Sequence, residues 1–372
     1  MEKNKRMKQL LTLATLLVLS SPLFAQTPEE KAVELKNEAI KTMDEGNTEK
    51  ARKLLEEAKK LDPNDPTYDY EIAFSYNIDK NYKEVIKICK KLTKHKDKFP
   101  EVYQMMGNAY DYDGNSKKAI QTYDKGLDLF PNAGNLYLER GNMELVQGNY
   151  NEALDYYIEG TKRDPMHSSN YYWCSKLYLS SENEYLGMIY GELFMNLERN
   201  SKRTVEISKL LYNTYDSEIS FEGDTTASVS FASNNIEISV EGGDQDGAAE
   251  ALLAALTQKT YGTMVYEMTL ALSLVGEDEI SLESLNRIRT KFVENYYAND
   301  KDEEFPNVLF EYQKKVQDAG QMEAYNYWIL SQGNDAEFDS WMTDNEDKWD
   351  AFIDWFLPNG IQLDEDHKFV QP

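Results

Sequence analysis

Residues 100–133 read PEVYQMMGNAYDYDGNSKKAIQTYDKGLDLFPNA and residues 134–167 read GNLYLERGNMELVQGNYNEALDYYIEGTKRDPMH; laying one over the other decides the fold. Pro131 and Pro165 stand 34 residues apart, and Pro63 lies two such periods before Pro131. Twelve residues ahead of these three prolines are Ala51, Ala119 and Ala153, and seventeen ahead are Gly46, Gly114 and Gly148, each followed by Asn. Large residues recur eight ahead (Leu55, Tyr123, Tyr157) and small ones five ahead (Ala58, Gly126, Gly160). Gly107 and Gly141 sit where two helices of one unit would cross. A fixed period of this length marks stacked helical units, none of which can bury its apolar face alone. Small residues let helices approach, Gly-Asn serves the tight turn, and proline stops the second helix.

On these residues the segment resembles the tetratricopeptide (TPR) family, whose repeat is a pair of antiparallel helices. The resemblance implies repeats at 32–65, 66–99, 100–133, 134–167 and 168–199. The first keeps the second-helix half, with Ala39 where Gly is usual; the second keeps Ala73, Tyr76 and Val85 but has its proline displaced to Pro100. The fifth keeps Tyr171 and Tyr178 without the alanine and proline marks. The expected fold is mainly α, a TPR α-solenoid of about five helix pairs followed by a small β-meander and a C-terminal helical region.

In this family the first helix of each repeat lines a concave groove. The resemblance places groove positions at the second, fifth, ninth, twelfth and thirteenth residues of a repeat. Read onto this chain they include Tyr70, Phe74 and Asn77, then Gln104, Asn108 and Tyr112, then Leu138 and Asn142, then Tyr172 and Lys176. Aromatic and amide side chains suit an extended peptide, with Asn bonding its backbone and Tyr or Phe meeting its apolar side chains. Some TPR domains clamp a partner's C-terminal carboxylate with Lys and Asn. Here Asn108 and Asn142 match the amide positions, but Gln104 and Trp173 stand where basic residues belong, so a chaperone-tail ligand is not expected.

The N-terminus has its own pattern. Lys3, Lys5, Arg6 and Lys8 precede an apolar run from Leu10 to Leu19, and Pro22 and Ala25 follow. This is the form of a signal peptide over residues 1–25, cleaved near Ala25, and predicts export to the periplasm or the medium. The apolar run is about half of what spans a bilayer. Residues 26–31 would be a short linker, and the mature chain would hold 36 Lys plus Arg against 65 Asp plus Glu.

Across all 372 residues the formal charge is -26, which excludes a nucleic-acid backbone as main partner and favours a basic one. The two cysteines, Cys89 and Cys174, fall at helix-packing positions in non-adjacent repeats, beyond the roughly 7 Å reach of a disulfide, and are expected as buried free thiols. His95, His167 and His367 are scattered without metal-ligand spacing and are expected to face solvent. No metal or cofactor is expected.

Beyond a helical run from Glu184 to about Tyr215 the period changes to two. Ile219 with Phe221, Val229 with Phe231, and Ile236 with Ile238 and Val240 predict a three-stranded meander within an α+β element over 216–278. The apolar segment Ala248 to Leu274 would cover it. Gly242 to Gly247 invites a calcium loop but lacks its third oxygen ligand and its Glu, so Asp246 is expected as a helix cap. Residues 279–372 form an acidic, Trp-rich helical region. There Ser281 caps a helix with Leu282, Leu285, Ile288 and Phe292 on one face, Pro306 sits early in another helix, and Trp349, Phe352, Ile353 and Phe356 form a core stripe. Trp355 lies off that stripe and is a possible anchor for a partner or sugar ring.

Motifs of nucleotide binding, serine hydrolysis and thiol redox chemistry are absent from the sequence. The leading expectation is therefore a non-catalytic protein-interaction scaffold of a bacterial envelope that binds a peptide or protein in the groove. The alternative is solute or glycan binding by the C-terminal region.

Overall fold

The computed structural model describes residues 26–222, 226–232, 236–239 and 260–371. Residues 1–25, with the signal-peptide reading, and residues 240–259, with the calcium-or-cap reading of Asp246, lie outside the described residues. Helices follow in pairs: α1 (Pro28–Asp44) with α2 (Thr48–Leu61), α3 (Thr67–Ile78) with α4 (Tyr82–Leu92), α5 (Pro100–Tyr112) with α6 (Ser116–Leu129), α7 (Gly134–Val146) with α8 (Tyr150–Arg163), and α9 (Ser168–Tyr178) with α10 (Glu184–Leu197).

The Gly-Asn turns close these pairs by one hydrogen-bond scheme. Gly46 N–H donates to Met43 O at 2.8 Å and Asn47 N–H to Thr42 O at 3.0 Å, and Gly114–Asn115 and Gly148–Asn149 repeat the scheme. This is the Schellman closure, which needs a left-handed residue, and the three glycines have φ of 85°, 81° and 80°. In the second pair Lys80 takes that place at φ 58°, with Asn81 N–H donating to Tyr76 O, so the turn survives where its glycine is missing. Asn47, Asn81 and Asn115 then cap the following helices with their side chains.

The chain divides between Ala119 and Ile120 into two compact units. In the first, Ala32, Ala39, Ala51, Leu55, Tyr68 and Ile72 form one buried cluster, and Ala73, Val85, Cys89, Val102, Met106 and Ala109 form the next. In the second, the core runs from Ala153 and Tyr157 through α10 to the C-terminal helices. Gly141 marks a close crossing of α7 and α8, because a Cβ there would overlap the Tyr157 ring. Gly141→Val is accordingly expected to destabilise the second unit by about 1–3 kcal/mol, as overpacking of a filled core does, measured by urea unfolding.

The run from Glu184 is two helices rather than one. It breaks after Leu197, and α11 (Lys202–Glu218) restarts behind Ser201, which forms a capping box with Thr204. The sequence shows this only as Asn200-Ser201, without a glycine or proline. Next, β1 (Ile219–Glu222), β2 (Thr226–Val229) and β3 (Ile236–Ser239) pair antiparallel in chain order, Ile219 opposite Val229 and Ala227 opposite Ile238. Phe231 lies past the end of β2 yet is fully buried.

A π-helical turn, Gly262–Glu267, runs into α12 (Met268–Ser273). Helices α13 (Leu282–Ala298), α14 (Lys301–Glu304), α15 (Val308–Asp318), α16 (Met322–Leu330), α17 (Asp335–Asp344) and α18 (Glu346–Asn359) complete the unit. Ser281 caps α13, and Leu282, Leu285, Ile288 and Phe292 are buried. Pro306 precedes its helix instead of sitting in the first turn: Asn307 is the cap of α15, its side chain accepting from Leu309 N–H. Phe352 and Phe356 of the stripe are buried, while Trp349 and Ile353 are half-buried against them.

Both cysteines are free and buried. The expectation of three solvent-facing histidines fails in part, since His95 and His167 are half-buried. Burial lowers the His167 pKa, with Asp164 opposing. His367 is exposed and reaches Glu311 at 3.0 Å, which raises its pKa.

Candidate functional site

In the first unit, helices α1, α3 and α5 are the first members of their pairs, and successive ones touch. Their inward faces carry the alanines and tyrosines of the core: Ala39, Tyr68, Ala73, Tyr103 and Ala109 are fully buried. The opposite side of the same helices holds the groove positions. Phe74 is 40% exposed and Tyr112 63% exposed, while Tyr70, Asn77, Gln104 and Asn108 are half-buried. Tyr70 sits edge-on to Phe99 at 5.1 Å, and Tyr82 braces Tyr112 at 5.3 Å. Burial, then the nearby Glu101, pushes the Tyr70 phenol upward, so it stays a hydrogen-bond donor at all physiological pH.

A larger pattern surrounds these residues. The exposed large hydrophobic side chains among the described residues of the first unit are Val33, Ile40, Phe74, Ile78 and Tyr112. All five lie on first helices; beyond residue 119 the pattern is mixed, since Leu129 on α6, Tyr150 on α8 and Met166 after it are exposed as well. Counted within the repeats, the five occupy the second, ninth, ninth, thirteenth and thirteenth positions, each a groove position. Val33, Ile40 and Ile78 were not singled out from the sequence, although extending the same count to the repeats at 32–65 and 66–99 reaches them.

In the second unit the groove positions divide. On α7, Leu138 packs partly into the core, and Asn142 accepts from the Tyr157 hydroxyl at 2.9 Å while donating to Glu139 at 3.2 Å. Val146, at the thirteenth position, is 87% exposed. On α9, by contrast, Tyr172 is only 7% exposed, its hydroxyl donating to Glu206 of α11 at 2.6 Å. Lys176 pairs with the same carboxylate at 2.7 Å, and Lys176 first and Tyr172 second hold the Glu206 pKa low. Helix α11 therefore engages the polar groups of the fifth pair. Trp355 is half-buried, with Lys315 Nζ 5.9 Å from its ring centroid.

Charge separates the units as well. Residues 26–119 hold 18 Lys plus Arg against 19 Asp plus Glu, whereas residues 120–372 hold 18 against 46. The first unit is thus nearly neutral overall and exerts little long-range attraction on a charged molecule.

No helix among the described residues is long and apolar enough to cross a membrane, and no group of three or more His, Cys, Asp or Glu there could hold a metal ion. Tetratricopeptide repeat family models match residues 105–165 and 43–65. The chain is similar in structure to MamA from Desulfovibrio magneticus RS-1 (16% identity, 48% of this chain and 99% of that one, TM-score 0.35). It is also similar to YrrB, a TPR protein with an unusual peptide-binding site (20% identity, 48% and 92%, TM-score 0.32), and to Pseudomonas aeruginosa pilF (16% identity, 50% and 86%, TM-score 0.42). No curated protein matches the sequence.

Proposed function

We propose that the chain, in which residues 43–65 and 105–165 match tetratricopeptide repeat models, serves as a non-catalytic protein-binding scaffold of the bacterial envelope, exported by its N-terminal segment and holding an extended peptide segment on the first helices of its repeats. The observation that carries this reading is that, within residues 26–119, the exposed large hydrophobics Val33, Ile40, Phe74, Ile78 and Tyr112 all occupy groove positions. Leaving such side chains in water gives no folding benefit, and a lined-up set of them is what an apolar-decorated strand would cover. The repeat borders at 32–65, 66–99, 100–133, 134–167 and 168–199 belong to the same reading.

Capture from an envelope extract by tagged mature protein tests it. Phe74→Glu with Tyr112→Glu is expected to weaken the partner at least about tenfold, as loss of central aromatic anchors does. Asn108→Ala with Asn142→Ala should weaken it less. Unchanged recovery with all four substitutions would refute the groove reading. N-terminal sequencing of the exported chain tests the leader separately, with Gln26 the expected first residue.

A further inference from the structure

The second unit contains a cavity of about 460 Å³ whose lining includes none of the groove positions. Its walls are rings and aliphatic chains, chiefly Trp328, Trp349, Phe356, Met195 and Leu357, and Arg199 is the one cationic side chain lining it. Leu357 and Val205, both on the lining, are among the exposed large hydrophobics of this unit, so the apolar wall continues to the surface. A volume of this size falls in the range of small-molecule sites, and mostly apolar walls with few polar groups are their usual character.

Arg199 is unlike the other arginines. Seven arginines fall among the described residues, and Arg52, Arg140, Arg163, Arg203, Arg287 and Arg289 each contact at least one carboxylate. Arg199 has no carboxylate within 4.0 Å among the described residues. Its Nε donates to Asn196 O at 3.3 Å, and its guanidinium lies 4.4 Å from the centroid of the Phe356 ring. Gly360 leaves the space the guanidinium fills, since a Cβ there would overlap it. In a unit with 46 acidic against 18 basic residues, an arginine held on an aromatic wall without an acid beside it is an anomaly of placement.

We propose that this cavity binds a small amphipathic monocarboxylate, a medium-chain fatty acid in chemical class, with its apolar tail between Trp328, Trp349 and Leu357 and its carboxylate on Arg199. The head group follows from the fork of free guanidinium N–H donors, which matches a carboxylate in two parallel bonds. A single charge follows from the surroundings: the acidic excess of this unit repels a polyanion more strongly than a monoanion. The tail follows from the walls, where an alkyl chain replaces water against aromatic rings. This site does not rest on the groove reading, and either can fail without the other.

Titration of the full mature chain with decanoate tests it, followed by tryptophan fluorescence and by calorimetry. Trp328 and Trp349 line the cavity, so saturable binding with a change in emission is expected. Arg199→Met, which keeps an apolar stem on Phe356, should weaken decanoate about 10- to 100-fold while leaving decanol, which has the tail without the charge, nearly unchanged. Leu357→Trp, a change at an exposed position of the lip, should block both ligands while leaving the thermal midpoint in place. This second variant keeps the test decisive should Arg199→Met fail to fold. Absence of decanoate binding, equal affinity for decanoate and decanol, or an affinity untouched by both substitutions would overturn the proposal.

Discussion

Arg289→Ala is expected to destabilise the second unit by about 3–5 kcal/mol, the cost of leaving a buried charge without its partner. Arg289 and Glu192 each expose about 5% of their side chains and meet at 2.7 Å. Glu192 also accepts from Gln313 at 2.6 Å and from the Tyr325 hydroxyl at 2.8 Å, while Arg289 donates to Asn326 at 2.7 Å and to the Tyr215 hydroxyl at 3.2 Å. Burial opposes the Arg289 charge, but the Glu192 carboxylate together with the Tyr215 and Tyr325 phenols more than offsets it and raises its pKa. Removing the guanidinium leaves that carboxylate inside the core joining α10, α13, α15 and α16. The pair is not required to make the unit stable, since an apolar pair of similar volume can do as well. Arg289→Met combined with Glu192→Leu should therefore lose much less than Arg289→Ala alone. Urea unfolding by tryptophan fluorescence isolates the effect, because all five tryptophans lie beyond residue 120. A loss below about 1 kcal/mol for Arg289→Ala would show that the network is not the buried charge lock described above.

Glu267 gives the second large effect, and it depends on pH. Its side chain is fully buried at the end of the π-helical turn, where Oε1 accepts from Ala232 N–H at 2.7 Å and Oε2 has no hydrogen-bond partner among the described residues. Burial pushes its pKa up to about 7, only partly countered by the Ala232 N–H. The folded protein therefore holds this proton more tightly than the unfolded chain. Stability from Glu267 is complete below the ordinary carboxylate pKa, near 4.5, and is lost as pH rises through about 7. The penalty at pH 8 is on the order of 3 kcal/mol. Glu184, raised to about 7 by burial and then by Glu218, acts in the same direction but is partly exposed and adds less. Glu267→Gln preserves an acceptor for Ala232 and carries no charge. It should stabilise the protein by up to about 3 kcal/mol at pH 8 and by almost nothing at pH 4.5, read as the difference between the two unfolding curves. Equal stability of both proteins at pH 8 would contradict the assignment.

The solenoid was legible because its constraints are local and repeat. Gly46, Gly114 and Gly148 are needed for a left-handed turn, and Ala51, Ala119 and Ala153 for helix contact, so fixed offsets report them directly. Lys80 shows where that logic weakens: its turn has the same hydrogen bonds, but a positive φ in a lysine leaves no trace in composition. The exposed Phe74 of α3 and Tyr112 of α5 were picked out by counting within the repeat, and Val33 and Ile40 were within reach of the same count. The engagement of Tyr172 and Lys176 by Glu206 was not, because it depends on how α11 returns across α9. The Arg289 network joins residues up to 133 positions apart and the Arg199 cavity depends on a tertiary void, and neither leaves a period or a motif. The break before Ser201 was hidden for another reason, since a capping box of Ser and Thr is too common to end a helix on sight.

Site-specific photocrosslinking measures the central claim most directly. Benzoylphenylalanine is placed singly at Phe74, at Tyr112 and, on the second helix of the first pair, at the exposed Glu57 of the tagged mature chain, followed by irradiation in an envelope extract. One and the same partner is predicted to join covalently at positions 74 and 112 and not at 57. Adducts formed equally at 57, or there alone, would contradict a binding face on the first helices.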